Sequence, residues 1–546
     1  MKCFWGMIYL SVLAFNVSYS QVTQEWAQRF TSDSIRIETV NDMFVDSQGN
    51  VYITGSQRER PFPFANEIQA LTLKYNAQGV LQWVQNYIAP LNNGAFCRAV
   101  YADASGNVYV TGENAIYSGG ANEMLVIKYS PSGTQLWAGR FQYVNNFYCG
   151  GFDIITDADG NVYVTGEYGN GGNNIFLVKY TPGGLLAGQT FYNISSEGGR
   201  KIGLDGAGKV IVSGYANVQD TAQFICLKYE QNLDLVWVTR WSNPQSNGGS
   251  STSMNDMAID INSNVILAGT SNLDYATVKI NPSGVIQWSK LFNSATGWDF
   301  CRGTVTDNTG NIYVTGETGT SGFPFDSKFC TIKYDQGGNQ QWISYYNGGG
   351  TPDGYTAVDI AIDNNTNLYV TGNIYSTSDI GTVKYNSSGI LQWAISYSGT
   401  GNNIDRAVSV GVDADAKVYV SGNSFDALSG NDIAVVKYAS SSIGINNISG
   451  EVPDGFSLSQ NYPNPFNPVT KIRFEIAAGI TGSQSNVSLV IFDLSGKEIE
   501  ELYNGSLSPG KYEADWNASG YSSGVYFYKL STADGFSETK KMLLTK

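Results

Sequence analysis

Most of this chain alternates short apolar runs with turn residues, the pattern of strands joined by hairpins. One phrase, Asp-x-x-x-Asn/Lys-Val-Tyr-Val-Thr-Gly, organises it, beginning at Asp46, Asp103, Asp157, Asp205, Asp260, Asp307, Asp363 and Asp413. The closing glycines, Gly55, Gly112, Gly166, Gly214, Gly269, Gly316, Gly372 and Gly422, lie 47 to 57 residues apart. One full repeat predicts strand a over 152–156, b over 161–168, c over 175–180 and d over 185–192. The leading Asp suits a turn, because its carboxylate can accept backbone N–H groups two residues on. Asp157-Ala-Asp-Gly-Asn161 also looks like the start of a calcium loop, but it lacks the downstream bidentate Glu and flanking helices.

A repeat of this length made only of strands predicts a β-propeller blade, so the fold class is all-β and the repeats form an eight-bladed propeller. Strand c ends in Lys-Tyr in seven repeats and Lys279-Ile280 in the fifth. A turn glycine follows, with Leu233 the exception, and then Trp83, Trp137, Trp237, Trp288, Trp342 and Trp393, with Gly188 breaking the series. Spacing this regular predicts packing between blades over a sugar-stacking surface. The eighth repeat has no Trp strand after Tyr438, but 24–30 (Gln-Glu-Trp-Ala-Gln-Arg-Phe) matches 81–87, which predicts an N-terminal strand that closes the ring.

In such blades the a–b and c–d turns share one face, and the b–c and d–a loops share the other. The second set is longer and differs between repeats, so it is the expected binding face. Trp298, Asp299, Asp353 and Asp405 are its candidate ligand-binding residues. Strand a carries Asp42, Asp153, Asp256 and Asp359 in alternate repeats, four residues before the turn Asp. Facing a channel, these could hold a cation such as Ca2+, the one cofactor the sequence suggests. They could equally cap backbone amides between blades, or pair with Lys201, Arg98 and Arg302.

Composition narrows the function. Lys+Arg 32 against Asp+Glu 47 gives a net charge of −15, which argues against nucleic acid and anionic membranes as partners. With no histidine, Ser-His and Cys-His catalysis and the commonest metal ligand are missing. Residues 1–20 read as a secretory signal: Lys2, an apolar run over 4–17, then Ser18-Tyr-Ser20 before a cut at Gln21. No later stretch could span a membrane. Cys97, Cys149, Cys226, Cys301 and Cys330 remain, an odd number with no evident disulfide framework.

The propeller is expected over 21–439, a linker over 440–455 and a small β-sandwich over 456–546, with strands at 471–476, 487–493, 511–516, 524–530 and 539–544. The final segment carries Tyr462-Pro463-Asn464-Pro465-Phe466-Asn467-Pro468, then Gly524-Val-Tyr526, and ends Lys540-Lys-Met-Leu-Leu-Thr-Lys546. In these motifs it resembles the C-terminal sorting domain of the type IX secretion system of Bacteroidetes-type bacteria. The resemblance implies an Ig-like sandwich that contacts the secretion machinery and directs the protein to the outer surface or the medium. The repeated phrase resembles the SBBP-type propeller repeats, a family defined by shape that implies little about activity.

Export signals and a rigid disc with variable loops favour a surface binding or adhesion protein that recognises glycan or protein ligands. A carboxylate-driven glycan hydrolase or lyase is the enzymatic alternative, with Asp299, Asp353 and Asp405 as available acids and no spacing that singles out a pair. A structural envelope component is a third reading.

Overall fold

The computed structural model describes residues 22–32, 36–59, 68–90, 94–115, 122–143, 148–169, 174–194, 196–219, 221–244, 252–294, 297–320, 326–348, 354–400, 403–427, 430–440, 446–449, 452–477, 485–518, 521–533 and 535–546. The expected signal segment and Asp353 lie outside them. The described residues are all-β and carry no helix. Two compact units divide the chain, one of Gln24–Ala439 and another containing Ser440–Lys546.

The larger unit contains eight four-stranded antiparallel sheets. In chain order they span 36–87, 94–141, 148–192, 196–241, 252–292, 297–346, 355–397 and 405–440, and are called the first to eighth sheets. Their strands are named a to d in chain order. The eighth takes its d strand from Val22–Phe30, which pairs with Gly430–Ser440. Each strand a touches the strand a of the next sheet, and the eighth touches the first.

Burial follows position in the sheet. Strands b and c are covered on both faces by neighbouring sheets, so Val162–Gly169 and Asn174–Tyr180 are buried almost throughout. That is why they read as unbroken apolar runs. Strand d lies at the open edge, and Leu186–Tyr192 alternates exposed and half-buried positions.

The turn Asp does what a turn residue should. Asp46 Oδ1 accepts the N–H groups of Gln48 and Asn50, each at 2.9 Å, while Oδ2 accepts from Asn50 Nδ2 and from the Tyr52 hydroxyl. With its oxygens filled this way, the carboxylate is structural and the calcium-loop likeness is superficial. The strand-c lysine then lies over the tyrosine ring, as Lys74 over Tyr52 at 5.1 Å. The fourth and fifth sheets have Ile211 and Ile266 where the tyrosine would stand. There the lysine reaches the carboxylate directly: Lys228 to Asp205 at 2.6 Å and Lys279 to Asp260 at 3.0 Å.

The tryptophans are seams between sheets. Trp83 Nε1 donates to the Pro131 carbonyl of the next sheet at 3.1 Å, Lys74 Nζ reaches the same oxygen, and the indole lies on Gly133. A Cβ on Gly133 would come within 2.6 Å of the ring, and its φ is +86°. The two exceptions in the series meet each other, because Leu233 packs against Gly188 in the place of the missing indole.

The smaller unit has two four-stranded sheets around one core that includes Phe466, Ile472, Trp516, Tyr528 and Met542. Two features differ from expectation. Asn446–Ser449, inside the expected linker, is a strand that pairs with 511–513. Glu498–Leu507 is also a strand, paired with Ser485–Phe492, and its Glu500 accepts from Trp516 Nε1 at 2.8 Å and the Tyr521 hydroxyl at 3.0 Å.

Candidate functional site

All eight a strands carry a bulge opposite strand b, at Val40/Asp42 in the first sheet and Cys301/Gly303 in the sixth, for example. A bulge leaves one residue unpaired and re-aims its side chain. The residues so placed include Arg98, Phe152, Arg200 and Arg302. Arg98 and Arg200 lie over the Phe152 ring at 4.6 and 4.3 Å. Each guanidinium also pairs with a buried Glu at the end of a b strand: Arg98 with Glu113, and Arg200 with Glu167 at 2.9 Å. Arg302 does likewise with Glu317 at 2.6 Å and sits over Phe300. This network was missed in the sequence, although Thr-Gly-Glu at 111–113, 165–167 and 315–317 marks it.

The residue after the bulge includes the four alternating aspartates. Asp42 accepts the Val100 N–H at 2.8 Å, Asp153 that of Ile202 at 2.9 Å, Asp256 that of Thr304 at 2.8 Å and Asp359 that of Val410 at 2.9 Å. Each carboxylate therefore caps a backbone amide of the next sheet. Lys201 stands 3.5 Å from Asp256, and the fields of Asp256, Asp153, Asp42 and Asp359 together push its pKa up. Burial pushes Asp42 up to about 7, against the pull of the Val100 N–H and Lys201. Among the described residues no group of three or more His, Cys, Asp or Glu side chains is placed to hold a metal ion. Among the described residues the cation beside these carboxylates is the Lys201 ammonium, and each of the four aspartates caps an amide of the next sheet.

The candidate ligand residues are placed differently from expectation. Asp299 and Asp405 lie in strands and are buried. Asp299 Oδ2 accepts the Ser294 N–H at 2.8 Å, and Asp405 Oδ2 accepts that of Gly399 at 2.7 Å. Glu38 and Glu197 do the same in the first and fourth sheets, for Ser32 and Ile194. All four stand eight residues before the turn Asp and hold the preceding d–a loop. Asp299 and Asp405 belong to different sheets, so the structure does not bring them together as an acid pair. Trp298 is half-buried, stacked on Phe300 at 5.0 Å with its edge on Gly319. The ladder Trp298, Phe300, Arg302 runs down one side of this strand, and Asp299 points to the other.

In the smaller unit Tyr462, Pro463, Asn464 and Pro465 are exposed and Phe466 is buried. Backbone bonds fix this loop: Tyr462 N–H to the Lys471 carbonyl at 2.9 Å and Phe466 N–H to the Leu543 carbonyl at 3.0 Å. Asn464 Oδ1 accepts the Leu543 N–H at 2.9 Å. Gly524 opens the strand Gly524–Thr532, whose Tyr526 stands edge-on to Trp516, and Lys546 N–H donates to Ser523 Oγ at 2.9 Å.

Five cysteines, Cys97, Cys149, Cys226, Cys301 and Cys330, are free and buried, and burial raises each thiol, Cys97 and Cys149 up to about 12. No helix of the described residues is long and apolar enough to cross a membrane.

Comparison with known proteins adds three findings. Residues 460–545 match the secretion system C-terminal sorting domain, and residues 287–324 match the beta-propeller repeat called SBBP. An uncharacterized WD repeat-containing protein of Acanthamoeba polyphaga mimivirus is 24% identical over 429 residues, which is 62% of this chain and 29% of that protein. Similar solved structures include PorZ, a surface component of the type IX secretion system of Porphyromonas gingivalis, at 14% identity, TM-score 0.33, covering 97% of this chain and 93% of that one. The polysaccharide lyase Uly1 is another, at 10% identity, TM-score 0.43, covering 77% and 99%. The chain thus joins a β-propeller to a type IX sorting domain, which implies export to the cell surface or secretion.

Proposed function

We propose that this is an exported recognition protein: an eight-bladed propeller, closed by the strand Val22–Phe30, that captures glycan or protein ligands on its b–c/d–a face. In this reading residues 1–20 are a signal peptide. The final segment is an Ig-like sandwich that engages the type IX machinery and delivers the propeller outside. One observation carries the binding assignment. On the a–b/c–d face the repeated Asp, Tyr, Lys and Trp side chains are consumed by turn and seam hydrogen bonds. On the opposite face, Trp298, Phe300 and Arg302 form a partly open aromatic and cationic ladder. Exposed aromatic surface beside a cation is common chemistry of recognition.

The test is retention of the purified full chain on an array of glycans and matrix proteins, with chromatography of every retained glycan for breakdown. Retention without breakdown is expected. Breakdown would replace the recognition reading with the hydrolase or lyase reading, and an array with no retention would refute ligand capture.

A further inference from the structure

At the loop-face end of the eighth sheet stands an arginine to which the chain gives no counter-charge. Arg406 is the second residue of strand a, Asp405–Val412. Its guanidinium lies 4.8 Å over the ring of Tyr375, which directly follows strand b of the seventh sheet, Leu368–Ile374. Elsewhere in the propeller Arg29, Arg98, Arg140, Arg200 and Arg302 each pair with a carboxylate, and Arg240 donates to the Tyr192 hydroxyl. Arg406 has no such partner among the described residues.

The repeat shows why. In the second, third and sixth sheets the residue after the closing glycine is Glu113, Glu167 or Glu317, and each takes an arginine. In the seventh and eighth sheets that place holds Asn373 and Asn423. Asn423 is paired with Arg406, but its Oδ1 accepts the Val40 N–H at 2.9 Å, and Asn373 Oδ1 accepts the Ala407 N–H at 2.9 Å. Asp405 projects from the opposite side of its strand and holds the Gly399 N–H. Arg406 is half-buried; its Nη1 is closed to solvent without a partner, while Nε and Nη2 are not closed off. Those two nitrogens form the edge by which Arg302 grips Glu317, with Nε 3.2 Å from both oxygens and Nη2 2.6 Å from Oε1. Such an edge matches two carboxylate oxygens.

We infer that Arg406 and Tyr375 bind the carboxylate of a uronic acid residue in an acidic glycan. The inference rests on the glycan branch of the function proposed above. The Nε/Nη2 edge takes the two carboxylate oxygens, and the Tyr375 side chain, 49% exposed, offers the C–H face of the same sugar an apolar wall. The loop that carries this ring is held in place: Tyr375 N–H donates to the Gly354 carbonyl at 2.8 Å, and Asp405 N–H to the Ser378 carbonyl at 2.7 Å. Between these anchors Ser376 and Thr377 are exposed, and their hydroxyls can bond those of neighbouring sugars. An acidic peptide offers the same carboxylate but no flat C–H face for the ring, which favours the sugar. With a net charge of −15 the chain repels densely charged polymers, so the fitting ligand carries single uronates between neutral sugars.

The experiment titrates the full chain with oligosaccharides that bear one glucuronic or galacturonic acid among neutral sugars, each beside its carboxyl-reduced neutral form, and with peptides bearing a single Glu. The expected result is binding of an acidic oligosaccharide that carboxyl reduction weakens by about tenfold or more, the loss of one charge-assisted contact. Arg406→Gln should weaken it as much without lowering the melting temperature, because no carboxylate of the chain is left stranded. Tyr375→Ala should also weaken it, and Leu185→Ser, on the turn face, should not. Equal binding of the reduced form, or acidic-glycan binding that survives Arg406→Gln, would overturn the site and leave glycan recognition standing. Capture of the Glu peptides through Arg406 with no glycan bound would overturn the sugar assignment and keep recognition in its protein form. Failure of every glycan and peptide to bind would overturn the site, while the wider array decides the recognition reading separately.

Discussion

The fourth sheet offers a test of how the repeat tolerates a lost tyrosine. In the six sheets other than the fourth and fifth, the turn Asp is satisfied by a tyrosine hydroxyl and the lysine rests on that ring. In the fourth sheet Lys228 and Asp205 form a direct, nearly inaccessible pair at 2.6 Å. Removing one partner of a buried pair strands the other charge, at a cost of about 3–5 kcal/mol. Removing a lysine from a tyrosine face costs about 0.5–2 kcal/mol. Lys228→Met should therefore destabilise the propeller far more than Lys74→Met, although the two lysines occupy the same repeat position. With an unfolding entropy of about 2.1 cal/mol/K per residue, the unit Gln24–Ala439 has roughly 0.9 kcal/mol/K at its midpoint. The expected drops are then about 3–6 °C for Lys228→Met and about 1–2 °C for Lys74→Met, read by calorimetry. Adding Ile211→Tyr to Lys228→Met should recover part of the loss, because the new hydroxyl can donate to Asp205. Equal drops for the two lysines, or no recovery, would refute the account.

Two other outcomes follow from the seams and the channel. Gly188→Trp alone should destabilise, since a Cβ there already lies 3.1 Å from Leu233 Cδ1, whereas Gly188→Trp with Leu233→Gly should rebuild the standard seam and restore the melting temperature. Burial raises Asp42 to about 7 in the folded chain, above its unfolded value of about 3.9. Folded-state stability is then full below about pH 4 and declines as pH rises through 7. Asp42→Asn keeps an acceptor for the Val100 N–H and removes this titration, so the variant's melting temperature should gain on the wild type between pH 4 and 8; a difference independent of pH would contradict that.

Strands b and c were legible because both of their faces are covered, and such strands must be apolar wherever they occur. The closing strand was legible because its Trp-centred segment copies the other d strands. The strand-a bulge was not legible, because it depends on which residue pairs with strand b rather than on local composition. Arg98, Phe152 and Arg200 therefore looked like ordinary strand residues. Asp299 and Asp405 were misplaced for a related reason. An acid near a loop looks available, but the loop's own N–H groups had claimed one oxygen of each. Ile211, Ile266, Gly188 and Leu233 looked like noise in the repeat. The first two are answered by a lysine, and the last two answer each other.

The strand Val22–Phe30 also sets the order in which the propeller can be made. Its partner lies some four hundred residues further along the chain, where Lys437 and Lys417 bind Glu25 at 3.1 and 2.9 Å and Arg29 binds Asp432. Its Trp26 reaches across to the first sheet and donates to the Ala77 carbonyl at 3.1 Å. The earliest strand of the disc is thus useless until the latest arrives, and the eighth sheet cannot finish before every other repeat has been synthesised. Long-range closure of this kind is slow to form and, once formed, has no free end from which to unravel. A nascent or clipped chain lacking 430–440 would hold an orphan strand at one end and an uncovered sheet edge at the other.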